Sequence, residues 1–92
     1  ESVEEEENHY QLSVYPNPAD DKILLEFKIN NPSDVSISLL NLPGSTIHNE
    51  TKYYLPGDYQ KIIEITNISS GFYLLELNIN GKKFFRKVIV QR

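Results

Sequence analysis

The chain has no cysteine, no methionine and no tryptophan among its 92 residues. Without cysteine it can form neither a disulfide framework nor a thiolate metal site. No apolar run approaches the roughly 18 residues that a membrane-spanning helix needs, and no signal peptide opens the chain. We therefore expect no direct membrane insertion. Because an initiator methionine is absent, we also expect a piece of a longer protein or a trimmed chain.

An excess of basic charge is absent as well. Five of the thirteen acidic residues lie in the first seven positions, so the rest of the chain carries nine basic and eight acidic residues. The composition predicts an acidic flexible linker over residues 1–9, since a charged segment with one apolar residue cannot bury a core. Residues 10–92 have the length of one small domain. A nucleic-acid-binding domain usually has a strong basic excess, so we expect no nucleic-acid partner.

The residue groups that carry catalysis are missing. The two histidines, His9 and His48, are far apart in the sequence, and no Gly-x-Ser-x-Gly elbow or glycine-rich phosphate loop occurs. Asp20, Asp21 and Asp58 lack the spacing of a calcium-binding loop. The sequence therefore predicts no enzyme, no cofactor and no metal site.

Alternation of apolar and polar residues dominates the rest of the chain, and this period of two is typical of half-buried strands. It is clearest over 22–29, where Ile23, Leu25, Phe27 and Ile29 predict one buried face. The same pattern recurs around Val35, Ile37 and Leu39 and around Tyr73, Leu75, Leu77 and Ile79. Weaker patterns predict strands over 11–15, 46–53, 59–65 and 83–90, and no segment has the stripe of a helix.

Turn residues divide these strands at short, regular intervals. Asn80-Gly81 predicts a two-residue type I′ hairpin turn, because both central positions of that turn need positive φ. Leu42-Pro43-Gly44-Ser45 and Leu55-Pro56-Gly57-Asp58 place proline and glycine as in type II turns. Seven short strands separated by such turns predict an all-β fold, a small antiparallel immunoglobulin-like β-sandwich.

Four motifs, in order, resemble the type A C-terminal sorting domain of the type IX secretion system of Bacteroidota. Residues 14–19, Val-Tyr-Pro-Asn-Pro-Ala, resemble the opening signature of that family, and residues 38–44 its middle strand and turn. Residues 70–75, with Gly71 two positions before Tyr73, resemble its Gly-x-Tyr strand, and 87–90 its closing lysine-led strand. The similarity extends from about residue 12 to the last residue of the chain.

This resemblance implies a secretion signal that directs a cargo protein across the outer membrane. The implied partners are the outer-membrane type IX machinery, including a shuttle protein and a surface sortase that removes the domain, and an N-terminal cargo domain in the same chain. The implied location is the periplasm in transit, then the cell surface or the extracellular space. The acidic linker would then be the accessible segment for cleavage.

The residues singled out for recognition by the machinery each have a structural alternative. Prolines and glycines can form rigid bends and turns, an aromatic residue can belong to the core, and lysines on an edge strand can simply prevent sheet-to-sheet pairing. The resemblance favours a basic last strand that docks on a partner. The candidate residues are Pro16, Asn17, Pro18, Gly44, Gly71, Tyr73, Lys82, Lys83, Arg86 and Lys87.

A second function from another class fits the same strand pattern. A non-catalytic carbohydrate-binding or spacer β-sandwich of a secreted enzyme would also lack catalytic residues. Sugar-binding faces present aromatic platforms, and although tryptophan is absent, six tyrosines are present. The adjacent Tyr53 and Tyr54 are the first pair to test. Phe84 and Phe85 are also adjacent, so one of them should lie in the core and the other on the surface.

Overall fold

The computed structural model describes residues 11–16 and 18–91. The acidic segment 1–9 and Asn17 lie outside the described residues. The described part contains seven strands and no helix, and therefore no helix that could span a membrane. The strands are β1 (Ser13–Tyr15), β2 (Lys22–Ile29), β3 (Ser33–Asn41), β4 (Thr46–Tyr54), β5 (Gly57–Glu64), β6 (Gly71–Ile79) and β7 (Lys82–Val90).

The strands form two antiparallel sheets, which confirms the predicted all-β sandwich. The small sheet has the order β1-β2-β5 and the large sheet the order β4-β3-β6-β7. β3 pairs with β4 on one side and with β6 on the other, so the chain crosses between sheets after β2, after β4 and after β5. This is the strand order of an immunoglobulin-like sandwich in which β4 pairs with β3 and extends the large sheet.

The core is built from the residues that the period of two assigns to one face. The predicted inward residues of β2, β3 and β6 are all buried. Phe27 packs edge-on against Tyr54 at a centroid distance of 5.4 Å and is stacked with Tyr59 at 5.8 Å. No buried side-chain nitrogen or oxygen atom in the described residues lacks a hydrogen-bond partner. The inner faces of the two sheets therefore form one apolar core with satisfied polar groups.

The weaker strand predictions are correct in number and differ at their ends. β1 begins at Ser13 rather than at residue 11, because Gln11 has a φ of 50° that no strand residue adopts. β5 begins at Gly57, which pairs with Ile29, so Gly57 belongs to a strand and not to the predicted type II turn. The Leu55-Pro56 segment instead connects the large sheet to the small one.

The turn between β6 and β7 has the predicted type I′ conformation. Asn80 and Gly81 have φ values of 52° and 93°. A Cβ added to Gly81 would meet no atom within 4 Å, so space does not restrict this position. The need for glycine here is one of backbone conformation alone.

Gly81→Ala should therefore lower the free energy of unfolding by about 1–2 kcal/mol, the cost of holding an L-residue in the left-handed region. Urea denaturation monitored by circular dichroism measures this cost. Gly81→Asn is the matched control, and it should retain most of the stability because asparagine tolerates this conformation. Equal losses for both variants would show that the turn conformation is not the cause.

One open side of the sandwich is closed by an ion pair between the two sheets. β4 and β5 are end strands of different sheets on this side. The Lys61 ammonium lies 2.9 Å from the Glu50 carboxylate, whose other oxygen is 3.0 Å from Nε2 of His48. The hydrogen bond from Lys61 lowers the pKa of Glu50 below 4.5, and the same bond raises the pKa of Lys61 above 10.5.

These two shifts predict the pH range in which the pair stabilises the fold. A lowered carboxyl pKa means stabilisation that is full above pH 4.5 and is lost as the pH falls through the folded-state value. A raised lysine pKa means stabilisation that is full below pH 10.5 and is lost at higher pH. Glu50→Gln should therefore make stability less sensitive to acid, and its effect should shrink in a Lys61→Met background. The coupling measured by this cycle should be about 0.2–1 kcal/mol.

Candidate functional site

The proline-rich signature closes the other open side of the sandwich. Pro16 and Pro18 are exposed, whereas Ala19 has only 1% of its surface exposed. The Ala19 amide donates to the carbonyl of Ile89 at 2.7 Å, and the Gln91 amide donates to the carbonyl of Ala19 at 2.8 Å. Ala19 therefore joins the segment after β1, in the small sheet, to the end of β7, in the large sheet.

The Gly44 loop connects β3 to β4 in a way that differs from the predicted type II turn. The Gly44 amide donates to the Asn41 carbonyl at 2.9 Å, and the Asn41 amide donates to the Ser45 carbonyl at 3.0 Å. These bonds define a three-residue loop of Leu42, Pro43 and Gly44, with Gly44 at a φ of 98°. A reverse turn followed by a left-handed glycine is the usual form of a three-residue hairpin. The loop leaves Leu42 73% exposed.

The Gly71–Tyr73 segment forms a structural corner at the start of β6. Tyr73 is buried, and its hydroxyl donates to the carbonyl of Ser69 at 2.7 Å. A tyrosine near the start of this strand that bonds back across the preceding corner is a feature of immunoglobulin-like sandwiches. Tyr73 therefore has the core position that was the alternative to a recognition role. Gly71 is the first residue of the same strand.

Tyr73→Phe isolates this hydrogen bond, because it removes the hydroxyl and keeps the buried ring. We expect a loss of about 0.5–1.5 kcal/mol in the free energy of unfolding, the usual net value of one hydrogen bond. Guanidinium denaturation measures the loss. Tyr53→Phe, on an exposed tyrosine, is the control and should change stability little. Equal stabilities of Tyr73→Phe and the parent would exclude a stabilising corner.

The basic residues of β7 do not form one continuous patch. Lys82 and Lys83 adjoin the β6–β7 turn, and the ammonium of Lys83 lies 3.6 Å from the Glu76 carboxylate. Lys87 lies five residues beyond Lys82, a distance of about 17 Å at the rise of an extended strand. Arg86 lies midway between Phe84 and Val88, which both point into the core, so it belongs to the inward side of β7. Its guanidinium donates to the Phe85 carbonyl at 3.0 Å. Lys87 is the basic residue of β7 nearest in the strand to the end where Ala19 is bound.

A shallow apolar groove of about 290 Å³ lies beside this end of β7, on the outer face of the large sheet. Its rim includes Lys87, whose ammonium lies over the Phe72 ring at 4.8 Å from the centroid. We call this surface the Leu42–Phe72 groove. It is lined by Leu40, Asn41, Leu42, Gly44, Phe72, Tyr73, Leu74 and Lys87.

The groove brings together three of the ten candidate residues, namely Gly44, Tyr73 and Lys87. Gly71 is the residue before Phe72, which lines the groove. The proline segment reaches the same end of β7 through Ala19. Lys82 and Lys83 lie at the opposite end of that strand. Asn17 is outside the described residues, so its predicted role stays a prediction.

The sequence interpretation missed the apolar residues of the groove. Leu40 pairs with Leu74 across β3 and β6, and both point away from the core. Leu40 follows the buried Leu39, and Leu74 follows the buried Tyr73. In each pair of adjacent apolar residues, the alternating pattern indicated only that one of the two is buried. An outward leucine on each of two strands was the available signal.

Metal-ligating side chains do not cluster in the part of the chain that the structure describes. No group of three or more histidine, cysteine, aspartate or glutamate side chains in 11–16 and 18–91 could hold a metal ion. Nε2 of His48 lies 3.0 Å from the Glu50 carboxylate. The tyrosine pair is also divided, since Tyr54 is buried while Tyr53 is 59% exposed. Tyr53 and Tyr54 therefore do not form a joint aromatic platform for a sugar.

The fold and the groove define a small β-sandwich whose signature segments meet at one end. Residues 13–91 match the model of the secretion system C-terminal sorting domain. The chain therefore belongs to this family, the C-terminal sorting domains of type IX secretion. No curated protein matches the chain. The match covers every strand of the sandwich and supports export to the cell surface or the extracellular space.

Proposed function

We propose that the domain acts as a transferable sorting signal, which the outer-membrane type IX machinery binds after its cargo has entered the periplasm. The family match over residues 13–91 carries this proposal. The machinery includes a shuttle protein that receives the domain and a sortase that removes it at the cell surface. The cargo is the protein domain that precedes residue 1 in the same chain.

The geometry suggests that the machinery binds the end of the sandwich where the signature segments meet. Ala19 bonds to the end of β7, and Gly44, Tyr73 and Lys87 line one groove beside it. These residues are far apart in sequence, and they become neighbours only when the large sheet has formed and Ala19 has bonded to the end of β7. The domain is therefore recognised in its folded form.

Cleavage by the sortase falls in the acidic segment 1–9. Its five glutamates and single apolar residue give it the composition of a tether that a protease can enter. The cleaved cargo then remains at the surface or is released.

A secretion assay tests the proposal. Residues 10–92, and separately 1–92, are fused behind a fluorescent protein that carries a signal peptide, in a host with a type IX system. We expect fluorescence at the cell surface or in the medium for both fusions, and a loss of mass equal to the domain for the fusion with residues 1–92. The same fluorescent protein without the domain is the control and should stay in the periplasm. Retention of both intact fusions in the periplasm would contradict a transferable signal.

The alternative function, a carbohydrate-binding or spacer sandwich, makes the opposite prediction. It would give glycan binding by the purified domain together with normal export after the domain is deleted. The burial of Tyr54 in the core disfavours this alternative, because it leaves Tyr53 as the one exposed tyrosine of β4.

A further inference from the structure

We propose that Asn80 is a chemical modification site whose reactivity is set by the fold. In the unfolded chain its side chain loses ammonia through attack by the next main-chain nitrogen, and in the folded chain the β6–β7 turn prevents this reaction. The isoaspartate that forms cannot rebuild the turn. The inference is independent of the sorting function, because it concerns the covalent structure of the chain itself.

The sequence selects this asparagine among the others. Gly81 is the one glycine of the chain that follows an asparagine. Deamidation begins when the following main-chain nitrogen attacks the side-chain carbonyl carbon of asparagine, and a Cβ on the following residue hinders that approach. Glycine has no Cβ. Asn80 is therefore the asparagine at which the unfolded chain reacts fastest.

The reaction consumes water and no other reactant. The nitrogen of Gly81 gives its proton to hydroxide and forms a bond to Cγ of Asn80, and the bond from Cγ to the side-chain nitrogen breaks. That nitrogen takes a proton from water and leaves as ammonia, which regenerates hydroxide and leaves a succinimide ring. Water then opens the ring. Addition at the main-chain carbonyl gives isoaspartate, and addition at the side-chain carbonyl gives aspartate.

The conformation of the turn keeps the two reacting atoms apart. Ring closure requires Cβ of Asn80 and the nitrogen of Gly81 to lie on the same side of the Cα–C bond of Asn80. Asn80 has a φ of 52°, in the left-handed region, where ψ is about +30° to +60°. Such a ψ places the next nitrogen on the side opposite Cβ. The reaction therefore needs a rotation of nearly half a turn about that bond.

Three hydrogen bonds oppose this rotation. The amide of Gly81, which contains the attacking nitrogen, donates to Oδ1 of Asn78 at 2.8 Å. The amide of Asn80 donates to the carbonyl of Asp34 at 3.0 Å. Oδ1 of Asn80 accepts from the amide of Asp34 at 2.9 Å. The Asn80 side chain thus acts as a main-chain carbonyl does in a ladder, and it continues the pairing of β3 with β6 into the turn.

Exclusion of water does not explain the protection. Asn80 and Gly81 are both exposed. A shallow cleft of about 320 Å³, with Asp34 and Asn78 in its lining, lies beside the turn. Water and hydroxide therefore reach both reacting groups in the folded chain, and protection depends on the conformation of the turn.

Isoaspartate alters the main chain itself. Its backbone passes through the former side chain and gains one carbon atom before the nitrogen of Gly81. The two-residue loop fixes the register of β6 with β7, in which Ile79 pairs with Lys82. A longer loop cannot keep this pairing with the same turn, so Phe84, which is 2% exposed, loses its place in the core.

The first test compares the folded and the unfolded chain. The purified 92-residue chain is incubated in buffer and in concentrated guanidinium chloride at the same alkaline pH, and peptide mapping by mass spectrometry measures aspartate and isoaspartate at position 80. We expect the folded chain to react at least about tenfold more slowly, because the reaction needs an opened turn. Asn67, which precedes the β-branched Ile68, is the internal reference and should react slowly in both solvents. Equal rates at Asn80 in the two solvents would overturn the proposal.

The second test removes one of the three bonds. Asn78→Ala deletes the acceptor of the Gly81 amide, whereas Asn78→Asp keeps an acceptor oxygen and is the matched control, and thermal melting first shows that each variant folds. We expect folded Asn78→Ala to deamidate about two- to tenfold faster than the parent, the effect of one hydrogen bond. Asn78→Asp should react like the parent, and all three chains should react alike in guanidinium. The same rate in folded Asn78→Ala and Asn78→Asp would contradict protection by this bond.

The third test concerns the product. Chains with isoaspartate at position 80 are separated by ion-exchange chromatography and refolded, and Asn80→Asp, which has the other product at this position, is the control. Asn80→Asp should unfold cooperatively, because aspartate tolerates the left-handed conformation. The isoaspartate chain should show no cooperative transition in circular dichroism. A transition at the melting temperature of the parent would show that the turn accepts isoaspartate, and would overturn this part of the proposal.

Discussion

Phe84→Ala should lower the free energy of unfolding by about 3–5 kcal/mol, whereas Phe85→Ala should change it by less than about 0.5 kcal/mol. The two residues are neighbours on β7 and point to opposite faces of the large sheet. Phe84 is 2% exposed and belongs to the core, while Phe85 is 46% exposed. Truncation of Phe84 leaves a cavity among closely packed side chains, and truncation of Phe85 removes a ring already in contact with water.

Urea denaturation of the two variants, each with a fitted slope, measures this difference. The same substitution at adjacent positions makes each variant the control for the other, because the loss of strand propensity is equal in both. Similar losses for the two variants would mean that β7 lies in the sheet with its faces exchanged. A small domain has about 5–15 kcal/mol of stability in total, so Phe84→Ala should also lower its melting temperature markedly.

Removal of residues 88–92 should abolish most of the stability of the domain. Val88 and Val90 are 1% and 2% exposed. Each buried valine contributes about 1.5–3 kcal/mol, so the truncation removes about 3–6 kcal/mol of apolar burial. It also removes the two hydrogen bonds that tie Ala19 to the end of β7. We expect a chain with broad, poorly dispersed NMR signals.

A shorter truncation separates these two contributions. Removal of residues 91–92 keeps both valines and deletes the Gln91 amide that donates to the Ala19 carbonyl. It should cost only about 0.5–1.5 kcal/mol, the net value of one hydrogen bond. If the longer truncation were as stable as the shorter one, the end of β7 would not belong to the core.

Local patterns were sufficient to predict the strands and their buried faces. The alternation in β2, β3 and β6 is unbroken, and only one register buries its apolar residues. The Asn80-Gly81 turn was predictable because few residue pairs adopt two positive φ values in succession. The Leu42-Pro43-Gly44 loop was assigned to the wrong turn type because proline and glycine are compatible with more than one reverse turn. Its hydrogen bonds to Asn41 decided the form it takes.

Contacts between distant segments were not predictable from one sequence. Nothing near Ala19 indicates that it pairs with Val90, 71 residues later in the chain. The groove depends on the pairing of Leu40 with Leu74, which follows from the position of β3 beside β6 in the large sheet. The candidate residues were therefore chosen from motifs, and the structure shows which of them become neighbours.

The bond between Ala19 and β7 couples the first part of the domain to its last strand. The segment after β1 cannot form its two hydrogen bonds to β7 until residues 89–91 are in place, because the Ile89 carbonyl accepts one bond and the Gln91 amide donates the other. A chain that emerges into a compartment from its amino terminus delivers those residues last. Closure of this end of the sandwich thus requires the last strand of the domain as well as its first, and an early part of the domain cannot close it alone.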